Sequence, residues 1–241
     1  MHKLKKRIMF SLRLLIGQYP KLFFTLYSLK KYNRRLFIKK DTQLVVNAYP
    51  RCGNTYFYYA IKFLNPDLRI SHHLHVPSLT IKAVKKELPT VIIIREPSKA
   101  IASLLIREDH LTMSQAFKLY KSFHEIVLNN STKILIFNFD QVVGDFKTII
   151  FTINRRFNLG LNNFKEFTPQ EKNKIFANIE QIDKKTNTLN KLSENKVSRP
   201  SNNAKIVDLK KEYQLKALVH EQYKHCFHLY NSLCEIASQK I

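Results

Sequence analysis

Apolar residues fall along the chain in short strand-length runs separated by longer stretches of helical period. Residues 43–48 form one compact apolar run. Residues 90–94 (TVIII) are continuous and β-branched, the pattern of a strand buried on both faces in a parallel sheet. Residues 133–138 read as a further strand and residues 68–71 as a short one. Between them the 3–4 spacing of apolar positions predicts helices over 55–64, 78–86 and 97 to about 107. Thr112 caps another, carrying Ala116, Leu119, Tyr120, Phe123 and Val127 on one face. Helices are also expected over 146–157, stopped by Gly160, over 169–189, and over 206–239. Strands alternating with helices predict an α/β fold, a mainly parallel central sheet flanked by helices, spanning 41–241 without internal repeats or a dividing linker.

Residues 1–40 have a different texture. Basic clusters (Lys3 to Arg7, Lys30 to Arg35) alternate with apolar runs at 8–16 and 22–29. Arg13, Gly17, Pro20 and Lys21 interrupt those runs, and a cation in mid-membrane costs about 2.5–3.5 kcal/mol. No small-residue cleavage site follows the basic start. The segment is therefore expected to form one or two basic amphipathic helices, packed on the 41–241 domain or lying on a membrane surface.

Charge sharpens that picture. The formal net charge is +23 over 241 residues, and residues 1–40 alone hold 12 Lys or Arg and no Asp or Glu. Polyanionic partners follow: nucleotide, nucleic acid, anionic lipid or acidic glycan. Three cysteines (Cys52, Cys226, Cys234) make no disulfide framework and point to a reducing, cytoplasmic setting, peripheral to a membrane if residues 1–40 touch one. His220, His225, Cys226 and His228 read as a solvated face of the last helix rather than a metal site.

The candidate chemistry sits where the first strand ends. LVVNAYPRCGNTYFYY, residues 44–59, is strand, tight loop and helix start, a geometry that aims backbone N–H groups and a helix N-terminus at one point. Against the nucleotide loop G-x-x-x-x-G-K-[S/T], Gly53 and Thr55 match, Ala48 replaces the first glycine, and Asn54 replaces the lysine. The cation lies inside the loop instead, at Arg51. A second anion site is expected where the strand at 90–94 ends in Arg95, Pro97 opens the next helix, and Ser103 follows about two turns on.

Taken together, these two motifs resemble those of sulfotransferases that use 3′-phosphoadenosine 5′-phosphosulfate (PAPS). That family's loop reads roughly Y-P-[KR]-S-G-[TN]-T-[WTF], and this chain has Tyr49 to Tyr56 as YPRCGNTY. The family's second motif is an apolar strand, R-[DE]-P, and a serine eight residues after the arginine, matched here by VIIIREPSKAIAS, residues 91–103. Phe139, Asp140, Gln141 and Val142 weakly echo a later Y-E-D-L segment. The likeness covers about residues 43–145 and implies a P-loop-like sulfotransferase fold. Pro50, Arg51, Cys52, Gly53, Asn54, Thr55 and Tyr56 would then hold the 5′ end of PAPS, with Arg51 also acting in transfer, while Arg95 and Ser103 would hold the 3′-phosphate. ISHHL, residues 70–74, looks like the family's I-K-T-H-L and places His73 as base. His75, two residues on in an extended chain, is the alternative, and His72 should point away.

Departures exist. Cys52 replaces serine and is read as packing rather than a nucleophile. The family's C-terminal R-K-G is absent, and Arg199 in a basic loop is the stand-in for the 3′-phosphate. The resemblance implies no metal, no nucleic-acid partner, and an acceptor hydroxyl or amine on a carbohydrate, lipid-linked or small molecule. The competing readings are a divergent P-loop kinase, weakened by the missing lysine, and a non-catalytic protein that binds polyanions or a membrane surface.

Overall fold

The computed structural model describes residues 2–29, 34, 36–162, 166–186, 194–199 and 201–239. At its centre lie β1 (Leu44–Ala48), β2 (Ile70–Ser71), β3 (Thr90–Ile94) and β4 (Leu135–Asn138), in the spatial order β2-β1-β3-β4. Every pairing is parallel, with Val46 opposite Val91 and Ile93 opposite Phe137. All five residues of β1 and of β3 are buried, which is why these runs are apolar at nearly every position rather than alternating, Asn47 and Thr90 being the exceptions. The α/β architecture with a parallel sheet flanked by helices, expected from the sequence, is the one observed.

The helices that set the site are α3 (Asn54–Leu64), α4 (Pro77–Lys85), α5 (Pro97–Arg107) and α6 (Met113–Asn129). Thr112 and Gln115 close a reciprocal capping box at the start of α6. From α6, Phe117, Tyr120 and Phe123 enter the main core with Val91, Ile93 and Phe137. Helix α7 (Phe139–Gly144) follows β4 directly, where the sequence offered only a weak motif, and Asn138 caps it. Helix α8 (Phe146–Phe157) has the expected bounds, and the residue that stops it differs from the expected Gly160. Asn158 takes the left-handed conformation that terminates it, and Gly160 lies beyond in the loop.

Helix α9 (Pro169–Thr186) covers α3, and the rest of the helix expected to residue 189 lies outside the described residues. The single periodic stretch expected over 206–239 is two helices, α10 (Ala204–Leu218) and α11 (Tyr223–Ser238). His220 makes the break: its ring stacks on Phe117 at 4.5 Å and its Nδ1 accepts from the Gln222 amide. His220 is therefore not on the last helix, and Cys226, on α11, is buried in the core rather than solvated.

The N-terminal α1 (His2–Ile16) and α2 (Pro20–Ser28) dock on this body. Phe23 and Phe24 join Leu74, Val76 and Leu79 in a second apolar cluster. Between the helices, the Gly17 oxygen accepts from the Ser78 amide at 2.8 Å and its hydroxyl at 2.7 Å. A β-carbon at Gly17 would lie 2.7 Å from the Arg13 oxygen and 3.3 Å from Val76, so this approach requires glycine.

Candidate active site

The loop after β1 turns sharply because two of its residues, Arg51 (φ 70) and Gly53 (φ 90), adopt left-handed backbone. Glycine takes that conformation freely, whereas at Arg51 it costs of order 1 kcal/mol. A β-carbon on Gly53 would also press on the Phe139 ring at 3.0 Å. Helix α3 then starts with no side-chain cap. Its first N–H groups have no partner within the helix, so a helix N-terminus opens at this loop. Asn54, the first helical residue, is 2% exposed, and neither atom of its amide has a hydrogen-bond partner.

Beside it, β3 ends in Arg95. Its Nη1 donates to the Arg51 main-chain oxygen at 2.9 Å, and its guanidinium lies over the Phe139 ring at 3.9 Å. Its Nε is buried and unpartnered. Tyr120 donates to the Arg95 oxygen at 2.7 Å and fixes the strand end from α6. Arg51 turns its side chain toward the same spot. Its Nε donates to Ser103 Oγ at 3.0 Å and its Nη2 to the Val197 oxygen at 2.7 Å. No carboxylate pairs with Arg51 or Arg95 among the described residues. Burial, then the charges of Arg107 and Arg95, lower the Arg51 pKa to about 10, which leaves it charged at neutral pH. Burial likewise lowers that of Arg95. Two half-buried guanidiniums without a paired carboxylate repel each other unless an anion joins them.

The histidines occupy the segment after β2. His73 Nε2 lies 3.0 Å from Thr55 Oγ1, in the first turn of α3. His75 Nδ1 lies 2.9 Å from the Ala48 oxygen, an acceptor, so the proton sits on Nδ1 and Nε2 keeps its lone pair. Both residues have left-handed backbone (φ 63 and 50), so the extended geometry expected to put them on one side is absent. They nevertheless converge, with ring centroids 5.8 Å apart. His72 does not simply point away. Its ring stacks on Tyr58 at 3.6 Å and its Nδ1 meets the Nδ1 of His73. Burial, aided by the Arg107 charge, lowers the His73 pKa to about 4. Burial and then the His73 charge lower that of His75 to about 3. Both rings are neutral at pH 7.

One cavity of about 1740 Å³ is lined by every residue expected at the site except Cys52. Cys52 is buried beneath the loop, and burial pushes its thiol up to about 12, so it remains a protonated packing residue. Arg199 reaches the cavity wall with its guanidinium paired to Glu180 and Glu194.

Four contributors escaped the sequence reading. Asn47 is a buried amide inside β1 that donates to the Val76 oxygen at 2.8 Å and Thr80 Oγ1 at 3.0 Å, anchoring the histidine segment. The polar residue inside an otherwise apolar strand was its signal. Arg13, from α1, donates to the Leu74 oxygen at 2.6 Å and holds the same segment from outside. Phe139, marked in the sequence only by a weak motif echo, and Arg107, which has no local signal, belong to the cavity wall, to which distant chain brings each.

No family model matches the chain, and no curated protein sequence matches it. Among solved structures, mouse sulfotransferase SULT7A1 complexed with PAP aligns at 16% identity, covering 83% of this chain and 90% of that chain, with a TM-score of 0.45.

Proposed function

We propose that this protein transfers a sulfuryl group from PAPS to a hydroxyl or amine of an acceptor. The observation that carries the reading is the pair of half-buried guanidiniums, Arg51 and Arg95, meeting the uncapped start of α3 in one cavity with the unpartnered Asn54 amide. Such a site calls for a ligand with more than one anionic group. The motif resemblance adds which one, since PAPS carries a 5′-phosphosulfate and a separate 3′-phosphate.

The orphan amide of Asn54 and the free Nε of Arg95 fit such a ligand, because each is a buried polar atom lacking a partner. The α3 N–H groups with Asn54 and Thr55 would hold the 5′ end, and Arg95 with Ser103 the 3′-phosphate. PAPS, when bound, supplies an activated sulfuryl group on a phosphate leaving group. Arg51 would stabilise the negative charge that gathers on the departing phosphate oxygen, a charge larger in the transition state than before it. The acceptor oxygen forms its bond to sulfur as the sulfur–oxygen bond to phosphate breaks, and its proton passes to a neutral imidazole. His73 fits that role, being neutral, with Nε2 beside Thr55 at the mouth of α3 and Nδ1 held by His72. His75 is the second candidate.

A kinase reading is weaker. The loop lacks its lysine, and Glu96, the acid at the end of β3, has its carboxylate committed to α5. Thermal shift tests the choice. Stabilisation by 3′,5′-adenosine bisphosphate and not by ATP with Mg²⁺ is expected. The opposite result would replace sulfuryl transfer with phosphoryl transfer, and no response to either nucleotide would leave only polyanion binding. Transfer of radiolabelled sulfuryl from PAPS to pools of glycans, lipids and phenols then identifies the acceptor.

A further inference from the structure

Helix α1 carries two apolar stripes where a docked helix needs one. Phe10 and Leu14 pack on the main core. On the opposite side Leu4, Ile8, Leu12 and Leu15 recur at helical spacing and are 61, 53, 49 and 58% exposed. Helix α2 repeats the arrangement. Phe23 and Phe24 are buried beneath it, while Leu22 and Leu26 face out at 47 and 43% exposed. Surface leucines scattered singly need no explanation, but two periodic stripes on adjoining helices do.

The surroundings narrow what covers them. Residues 1–40 hold 12 cations and no acid, so a second copy of this chain would bring two strongly positive surfaces together. No described helix is long and apolar enough to cross a membrane. An amphipathic helix pair with leucines on one face and lysines along its flank fits an interface, where apolar side chains enter the acyl boundary and cations meet phosphates. The same surface continues into the cleft, since Lys5, Lys6, Leu12 and Leu26 line the cavity that holds Arg51 and Arg95.

We propose that α1 and α2 lie flat on an anionic lipid bilayer, with the mouth of the cleft at the headgroup layer. The docking stands on the two stripes and the charge. Only its consequence, that a membrane-borne acceptor reaches the site directly, rests on the sulfuryl-transfer reading.

Co-sedimentation of the full chain with vesicles of phosphatidylcholine, alone or mixed with phosphatidylglycerol, tests it. Binding is expected to the mixed vesicles. The double variant Ile8→Ser/Leu15→Ser is expected to bind them at least ~10-fold more weakly, the loss of two buried apolar side chains. Both residues face outward, so the fold is retained, and an unchanged thermal shift with adenosine bisphosphate checks this. Absence of binding to the mixed vesicles overturns the proposal. Equal binding by the variant also overturns it, since charge alone would then be responsible, and so does a dimer in sedimentation velocity that the variant abolishes. Orientation is read separately with an environment-sensitive fluorophore on Leu26→Cys or, as control, Phe151→Cys on α8. A blue shift with vesicles is expected at the first position, and a shift only at the second overturns the geometry. Vesicle binding without a bisphosphate response would leave the docking standing and remove sulfuryl transfer. A bisphosphate response without vesicle binding would do the reverse.

Discussion

Two strand-to-helix connections lie side by side in this sheet and end differently. After β1 the chain makes a five-residue loop with two left-handed residues, and α3 begins uncapped, with an unpartnered amide at its first position. After β3 it turns at once, and Glu96 plugs the start of α5. The Glu96 carboxylate accepts from the Ser98 amide at 3.0 Å, the Lys99 amide at 2.9 Å and the Ser98 hydroxyl at 2.7 Å, and Tyr223 donates to it at 3.0 Å from α11. A negative side chain already neutralises the α5 dipole, so that helix end has no room for a ligand anion. The second connection serves the site with side chains alone, Arg95 and Ser103, and the first with an open helix end as well as the side chains of Arg51 and Asn54. The same supersecondary unit is thus an anion cradle in one copy and a rigid mount in the other.

The largest test of this asymmetry is at the open end. His73→Ala is expected to lower turnover with PAPS by ~10²–10⁴-fold, the usual contribution of a general base, with bisphosphate affinity by calorimetry unchanged. The same loss with His75→Ala alone would move the base. Next in size, Arg95→Ala should weaken bisphosphate binding by ~30-fold or more, as removing a partner from a buried charged hydrogen bond does. Unchanged affinity would take the guanidinium out of the site.

Gly53→Ala should then lower unfolding free energy by about 1–2 kcal/mol, from left-handed strain and the Phe139 contact, and weaken the bisphosphate thermal shift with it. Glu96→Ala should cost about 1 kcal/mol of stability, as losing a helix cap does, with bisphosphate affinity within about threefold of the parent. Tighter binding in that variant would mean that α5 had been a competing cradle all along.

Near neutral pH the smallest effect is the pH dependence itself. His73, His75 and the buried His124 all have pKa values lowered to about 4 or below, against 6.5 when unfolded. Above pH 6.5 both states hold these rings neutral, so stability is flat. Between 6.5 and about 4 only the unfolded chain binds their protons, so stability falls as pH falls, by about 1.4 kcal/mol per pH unit for each ring. Replacing His124 with Gln should remove about a third of that slope in denaturant titrations. Turnover with a neutral imidazole base should be level between pH 6 and 8.

Much of this was legible in the sequence because local chemistry encoded it. The TVIII run could only be a doubly buried strand, and Pro97 and Thr112 marked their helix starts correctly. The loop at Arg51 to Thr55 stands at the strand end where its composition placed it. What was not legible depends on distant chain. Nothing near Arg95 in sequence announces that Phe139 will underlie it, and nothing near His73 and His75 announces their left-handed backbone or their ring contacts to Thr55 and Ala48. The break at Val219 is likewise made by a ring stacking on a helix a hundred residues earlier.

The bond from Arg95 to the main-chain oxygen of Arg51 has a consequence for anyone apportioning energy at this site. Deleting the Arg95 side chain also strands a carbonyl in the neighbouring loop, so the measured loss will combine two effects that subtraction cannot separate. Truncating the Arg51 side chain leaves that oxygen in place, so the stranded-carbonyl cost appears in Arg95→Ala and again in the double variant, and a double-mutant cycle on the pair cancels it, reporting only how the two side chains act on each other.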